Sequence, residues 1–213
     1  MAEAEERYER SVAVLKSRSI PFLASLPLIE TEAEITLRSP DEIMARVRCL
    51  VAVAKAAKAN DVFVAKTDVA RWGLEDDLSP REKAFVDNNI IGERDRINFS
   101  WQIEAVVPLI WARGLHDDLY FPDKTADATS LITFLDELTT NDIAGCEMRP
   151  AAEILDEADL IYRLHWATRQ SHLDGVDPPA CLVPGIVVER HQALNWLISY
   201  EDNADWDEVT TDT

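Results

Sequence analysis

Glycine is scarce in this chain. Six occur among 213 residues, at Gly73, Gly92, Gly114, Gly145, Gly175 and Gly185, and no two are near neighbours. A Rossmann fingerprint and a P-loop both need clustered glycines for close backbone approach to phosphate, so neither is present. There is likewise no nucleophile elbow, no H-E-x-x-H helix and no EF-hand loop. Cysteine is sparse too: Cys49, Cys146 and Cys181 form no C-x-x-C pair, which excludes the usual structural zinc spacings. An odd, scattered set reads as small buried hydrophobes in a reducing cytosol. The longest run without a polar side chain covers residues 105–112. A membrane span needs about 20, so no membrane partner is expected. The N-terminal Met-Ala-Glu-Ala-Glu-Glu lacks the positive start of a signal peptide. The expectation is a soluble cytoplasmic protein.

Positive charge is the next deficit. Lys and Arg number 21 against 40 Asp and Glu, a formal charge of −19. Polyanions are repelled by such a surface, so no nucleic-acid partner is expected. A basic protein partner is compatible with it, as is plain solubility. The imbalance is uneven: residues 1–106 carry −4 and residues 107–213 carry −15. One half is therefore a candidate acidic face.

What is present is ample for a core. Apolar residues make up 47%, with six Trp, six Phe and four Tyr. Helix signals dominate. Ser39-Pro40-Asp41-Glu42 combines an N-cap Ser, Pro at the first helical position and Glu at N3, and Ser79-Pro80-Arg81-Glu82 repeats the pattern. The first opens a helix with Ile43, Val47, Leu50 and Ala54 inward and Arg46, Lys55 and Lys58 on its other face, stopping near Asn60. Further helices are expected over 2–17, 151–173 and 186–200, with a stiff Pro-rich loop at 174–185. Residues 94–115 read as one central buried helix, kinked at Pro108 and capped by Gly114. Strand signals are confined to 34–37 and 61–65. The fold class expected is all-α: one domain over 1–213 of six to eight helices, with at most a short hairpin.

Three features could carry chemistry. Glu104 lies inside the most apolar helix, where a charge must be paired, hydrogen-bonded or protonated. It is either a general acid or base, or half of a buried ion pair; Arg46 and Arg163 are the expected partners. Asp156, Asp159 and Arg163 form a stripe at i, i+3 and i+7, either solvated or facing a ligand. His165 and His172 share that helix, while Glu189 and His191 on the last helix point in roughly opposed directions. No pair shows i,i+4 ligand spacing, so neither a metal site nor a cofactor is expected. Glu104, Asp159, Arg163, His165 and His191 are thus the candidate catalytic or ligand-binding residues. The third feature is the segment 201–213, with six acids and no base. Trp206 sits among them and should dock on its own domain or on a partner. Asp205, Trp206, Asp207 and Glu208 are the candidate partner-binding residues.

Several blocks resemble a known family. They are Ser39-Pro40-Asp41-Glu42, Trp101-Gln102-Ile103-Glu104-Ala105, Leu109-Ile110-Trp111-Ala112-Arg113-Gly114-Leu115, Tyr162-Arg163-Leu164-His165-Trp166, Glu189-Arg190-His191-Gln192-Ala193 and Trp206-Asp207-Glu208-Val209. In this order, over nearly the whole chain, they are similar to the bacterial domain-of-unknown-function family 4272. The resemblance implies a bacterial cytoplasmic protein. It makes Glu104, Arg163 and the tail parts of a shared design, and it supplies no activity or cofactor. Two functions remain in view. One is an acidic protein-binding module, of the immunity or inhibitor type, for a basic partner. The other is a small-ligand protein or enzyme with a site around Glu104, Asp159, Arg163 and His165.

Overall fold

Ser39 accepts the backbone N–H of Glu42, and Glu42 reaches back to the Ser39 N–H, so the expected capping box starts α2, Pro40–Ala59. Asn60 ends it in the left-handed region. The same reciprocal cap at Ser79 and Glu82 starts α4, Pro80–Asp87. In a computed structural model, which describes residues 2–88, 90–202 and 205–213, these two join eight other α-helices: α1, Ala2–Ser17; α3, Val62–Trp72; α5, Glu93–Trp101; α6, Ile103–Ala112; α7, Ala128–Glu137; α8, Thr140–Ala144; α9, Ala151–Leu173; and α10, Pro184–Leu197. The all-α class is observed, with more helices than expected and no strand among the described residues.

α2 organises the interior because both its faces are apolar. Val47, Leu50, Val51 and Ala54 enter a core shared with α1, α6, α9 and α10. Cys49, Ala52, Val53, Ala56 and Ala57 enter a second core with α3, α4 and α5. Hence no solvated face is left at Arg46: the helical pattern alone sets it outward, and the packing buries it. α6 lies between α2 and α10, and α9 lies between α10 and α1. At 25 cal/mol per Å2, burying each Leu or Ile of this interior contributes about 2 kcal/mol.

Residues 61–65, a possible strand in sequence, begin α3 instead. Asp61 accepts the Phe63 N–H as N-cap, and Val62, Ala65 and Val69 bury one helical stripe. Residues 34–37 are irregular. The central 94–115 segment is two helices that break at Gln102, not one kinked at Pro108. Proline removes the bond to the carbonyl four residues earlier and crowds it, so the disturbance falls on the N-terminal side, where α6 starts. Gly114 sits at φ +78°, and an added Cβ would lie 2.1 Å from the Glu147 carbonyl oxygen, so only glycine fits that crossing.

Residues 113–150 form an arm on this body. Asp127 caps α7 by accepting the Thr129 and Ser130 N–H groups. α7 and α8 contain no buried residue. Two arginines hold the stem: Arg113 donates to the Cys146 and Ile143 carbonyls, and Arg149 donates to those of Trp111, His116 and Asp117.

Candidate functional site

Glu104 is 1% exposed. Its Oε1 accepts the Ala126 backbone N–H at 2.7 Å, and its Oε2 faces Arg190 Nη2 at 3.2 Å. Arg190 Nη1 donates to the Tyr120 carbonyl at 2.5 Å. The carboxylate is therefore half of a buried ion pair, and its partner comes from α10. Arg46 and Arg163, the partners expected from sequence, are engaged elsewhere: Arg46 pairs with Glu82 and Arg163 with Asp159. Burial pulls the Arg190 guanidinium below its ordinary range, and the Glu104 charge opposes that shift. Together Glu104 and Arg190 clamp residues 120–126 across α6 and α10.

The stripe on α9 is not solvated. Arg163 Nε and Nη2 grip the two oxygens of Asp159 at 2.8 and 2.7 Å, with both side chains 1% exposed. The Arg163 guanidinium lies 4.4 Å from the Tyr8 ring centre. Asp156, nearer the surface, accepts two bonds from Arg10 and faces Arg7 at 3.4 Å. These contacts weld α1 onto α9; they present no free charge to a ligand.

His165 and His191 meet at the α9–α10 interface, Nδ1 to Nδ1 at 2.9 Å. One must donate and the other accept, so the pair is neutral when satisfied. Burial pushes His165 down to about 4 and His191 to about 3, and neighbouring Arg169 and His165 respectively add to the shift. His172 is exposed and apart from this pair. Glu189 is pushed up to about 7 by burial and then by the Glu104 charge, with Arg81 opposing. Glu157 rises to about 7 by burial, Asp156 adding and Arg190 opposing. Among the described residues, no three His, Cys, Asp or Glu side chains are grouped to hold a metal.

In the tail, Trp206 is 2% exposed, edge-on to Trp196 at 5.8 Å and facing the Arg46 guanidinium at 5.1 Å. Asp207 accepts from Ser79 Oγ at 2.9 Å and from the Arg81 N–H at 2.8 Å, a second cap on α4. Asp205 caps the short turn at Trp206–Glu208. Of the four residues named as partner contacts, Trp206 is turned inward and Asp207 is engaged with α4, while Glu208 is exposed.

Two of the cavities beside these clusters bear on function. A groove of about 890 Å3 runs between α6 and α7. Val107, Ile110, Phe121, Leu131 and Phe134 make its apolar floor, Arg190 reaches its base, and Asp123 and Asp127 stand in its wall with Lys124 between them in sequence. A smaller pocket of about 380 Å3 lies between α9, α10, residues 26–30 and the tail. His191 lines it, together with Tyr162 and Tyr200.

A family model described as a domain of unknown function, DUF4272, matches residues 7–209. The chain belongs to this family. No curated protein and no solved structure matches it. The family brings no assigned chemistry, so the reading of the site rests on geometry. Sequence reasoning passed over Arg190, Arg7, Tyr162 and Tyr200 as site residues. A signal for Arg190 existed: it is the one Lys or Arg in α10, as Glu104 is the one charged residue in α6, and a charge in an apolar helix calls for an opposite one. Nothing comparable marks the two tyrosines, which are brought together by the tail.

Proposed function

We propose that the chain is a protein-binding module that takes a basic, amphipathic segment of its partner into the groove between α6 and α7, as an inhibitor or immunity-type protein would. The observation that carries this reading is the groove itself, an apolar floor with Asp123 and Asp127 in its wall beside Lys124, set in an arm whose exposed surface is mainly acidic. Asp117, Asp118, Asp123, Asp127, Glu137, Asp142 and Glu147 of the arm are all exposed. The cations Arg113 and Arg149 are turned inward onto carbonyl groups. The arm therefore shows solvent an excess of negative charge, with Lys124 as its one exposed base. An amphipathic helix laid in such a groove buries its apolar side and sets its lysines against the rim. Charge of this kind chiefly raises association rate and selectivity. The tail carboxylates at Asp205, Asp207 and Glu208 add to the field, while Trp206 supports the fold. The same surface repels nucleic acid and anionic lipid, no described helix is long and apolar enough to cross a membrane, and a cytoplasmic setting suits three unpaired thiols.

The competing reading, catalysis around Glu104, Asp159, Arg163 and His165, has less support. Each carboxylate there is matched by an arginine and each buried imidazole by the other. The test is fluorescence anisotropy with a labelled lysine–leucine amphipathic peptide of about 15 residues. Binding should weaken at least about tenfold between low and high salt, about tenfold with Asp123→Lys, and as much with Phe134→Ala. Equal binding of an all-polar lysine peptide, or indifference to both substitutions, would overturn the assignment.

A further inference from the structure

The smaller pocket has a chemistry of its own. No lysine or arginine lines it, and its only charged side chains are Glu30 and Asp212. Neither carboxylate has a cationic partner among the described residues. Asp212 acts on both tyrosines of the wall, and Glu30 acts on Tyr200. Burial raises Tyr200, and the nearby Glu201, Glu30 and Asp212 charges raise it further. Burial also raises Tyr162, with Asp159 and Asp212 adding to it and Arg163 opposing. Arg163 lies outside the lining: its Nε and Nη2 hold Asp159, and Nη2 also reaches the Pro27 carbonyl at 3.4 Å behind the wall. His191 adds no charge, being neutral and bonded to His165. Apolar wall comes from Leu26, Leu28 and Ile198.

The roof is built, not incidental. Asn195 Nδ2 donates to the Thr210 carbonyl at 2.8 Å, and Arg169 Nη1 donates to Thr213 O and Oγ1 at 2.9 and 3.0 Å. These bonds strap residues 210–213 over the opening and bring Asp212 to it. The volume falls within the range of small-ligand sites. A cavity with two uncompensated carboxylates and two aromatic rings rejects anions. Its carboxylates gain no charge attraction from a neutral ligand, and it favours an organic cation whose body is apolar.

We infer that this pocket binds a small organic ammonium ion, its charge beside Asp212 and Glu30 and its carbon body against Tyr162 and Tyr200. The site is separate from the groove, and its occupation does not depend on a protein partner. Isothermal titration of the whole protein with tetramethylammonium, choline and spermidine tests it. The uncharged carbon isostere of choline, dimethylbutanol, and acetate serve as controls. At least one of the three cations should bind, with the isostere at least about tenfold weaker than choline if choline is the ligand, and acetate silent. Asp212→Asn, a substitution at an exposed position, should weaken the cation about five- to tenfold, and Tyr200→Ala similarly, whereas Tyr200→Phe should retain binding. Silence with all three cations, equal affinity for the isostere, or an unchanged affinity in Asp212→Asn would overturn the proposal.

Discussion

The body of the molecule and its 113–150 arm use the same kinds of side chain and differ in what they enclose. In the body, α6 buries every residue it has, including a glutamate, and α2 buries both of its faces. In the arm, α7 and α8 bury none. Leu131, Ile132 and Leu135 of α7 only lean on the core. The arm is attached chiefly by polar contacts, the arginine-to-carbonyl bonds at its stem, the Glu104–Arg190 clamp on 120–126 and Lys55 on Asp136, and the body by interlocked apolar faces. Hydrogen bonds of this sort contribute about 1–2 kcal/mol each, and a well-packed helix contributes many times that. The lesson is that one chain divides the work: rigidity in the body, an acidic and weakly enclosed surface in the arm. That is where a binding function would be expected, since recognition segments come from the low-stability end of a fold.

The sharpest break in this comparison is Glu104, the charge inside the most apolar element. Glu104→Leu leaves Arg190 buried without its carboxylate and should cost about 3–5 kcal/mol in urea unfolding, while the double change Glu104→Leu with Arg190→Met should recover most of that loss. If the single variant were as stable as the parent, the pair would not be the buried clamp described above.

A milder probe compares equal deletions in the two regions. Leu109→Ala in α6 opens a cavity with no room to relax and should cost about 3 kcal/mol. Leu135→Ala in α7, only partly buried, should cost less, about 1 kcal/mol. Equal costs would mean that the arm is packed as firmly as the body.

The smallest expected effect concerns pH and tests the body alone, through groups on α9 and α10. His165 and His191 have folded-state values pushed down to about 4 and 3. Their contribution is present above the unfolded value of about 6.5 and is lost as pH falls. Glu157 and Glu189 are pushed up to about 7, so theirs is present below about 4.5 and is lost as pH rises through 7. The two effects oppose each other between about 4.5 and 6.5, and only the histidines act below that window. His165→Leu with His191→Leu should therefore move the acid-unfolding midpoint, followed by circular dichroism, down by about one pH unit. An unmoved midpoint would place the acid-sensitive step elsewhere.

The legible parts of the fold were those written in local chemistry. Ser39-Pro40 and Ser79-Pro80 announce helix starts because the cap groups lie within three residues of each other. α9 has the bounds its periodicity implies. The break at Gln102 and the helical start at Val62 were missed, since a proline's effect falls upstream of it and Val-Phe-Val reads locally as strand. At the candidate site, the sequence showed that Glu104 needed a partner but not which one. Arg190 is 86 residues away, and only the packing of α6 on α10 selects it. The pairing of His165 with His191 and the tyrosine-lined pocket were invisible for the same reason: their members come from separate elements.

Asp207 bears on how the protein is made. It completes the cap of α4 from 126 and 128 positions further along the chain. At ribosomal speeds of about 5–20 residues per second, α4 emerges roughly 6–25 s before this carboxylate can reach it. Over the same interval Trp206 is absent from its seat beside Trp196 and Arg46. α4 must therefore wait with only its local Ser79–Glu82 cap, and the first core with an indole-sized hollow open to water. The final locking of the fold is a late event of synthesis, and the nascent chain is most exposed to chaperones and proteases just before it.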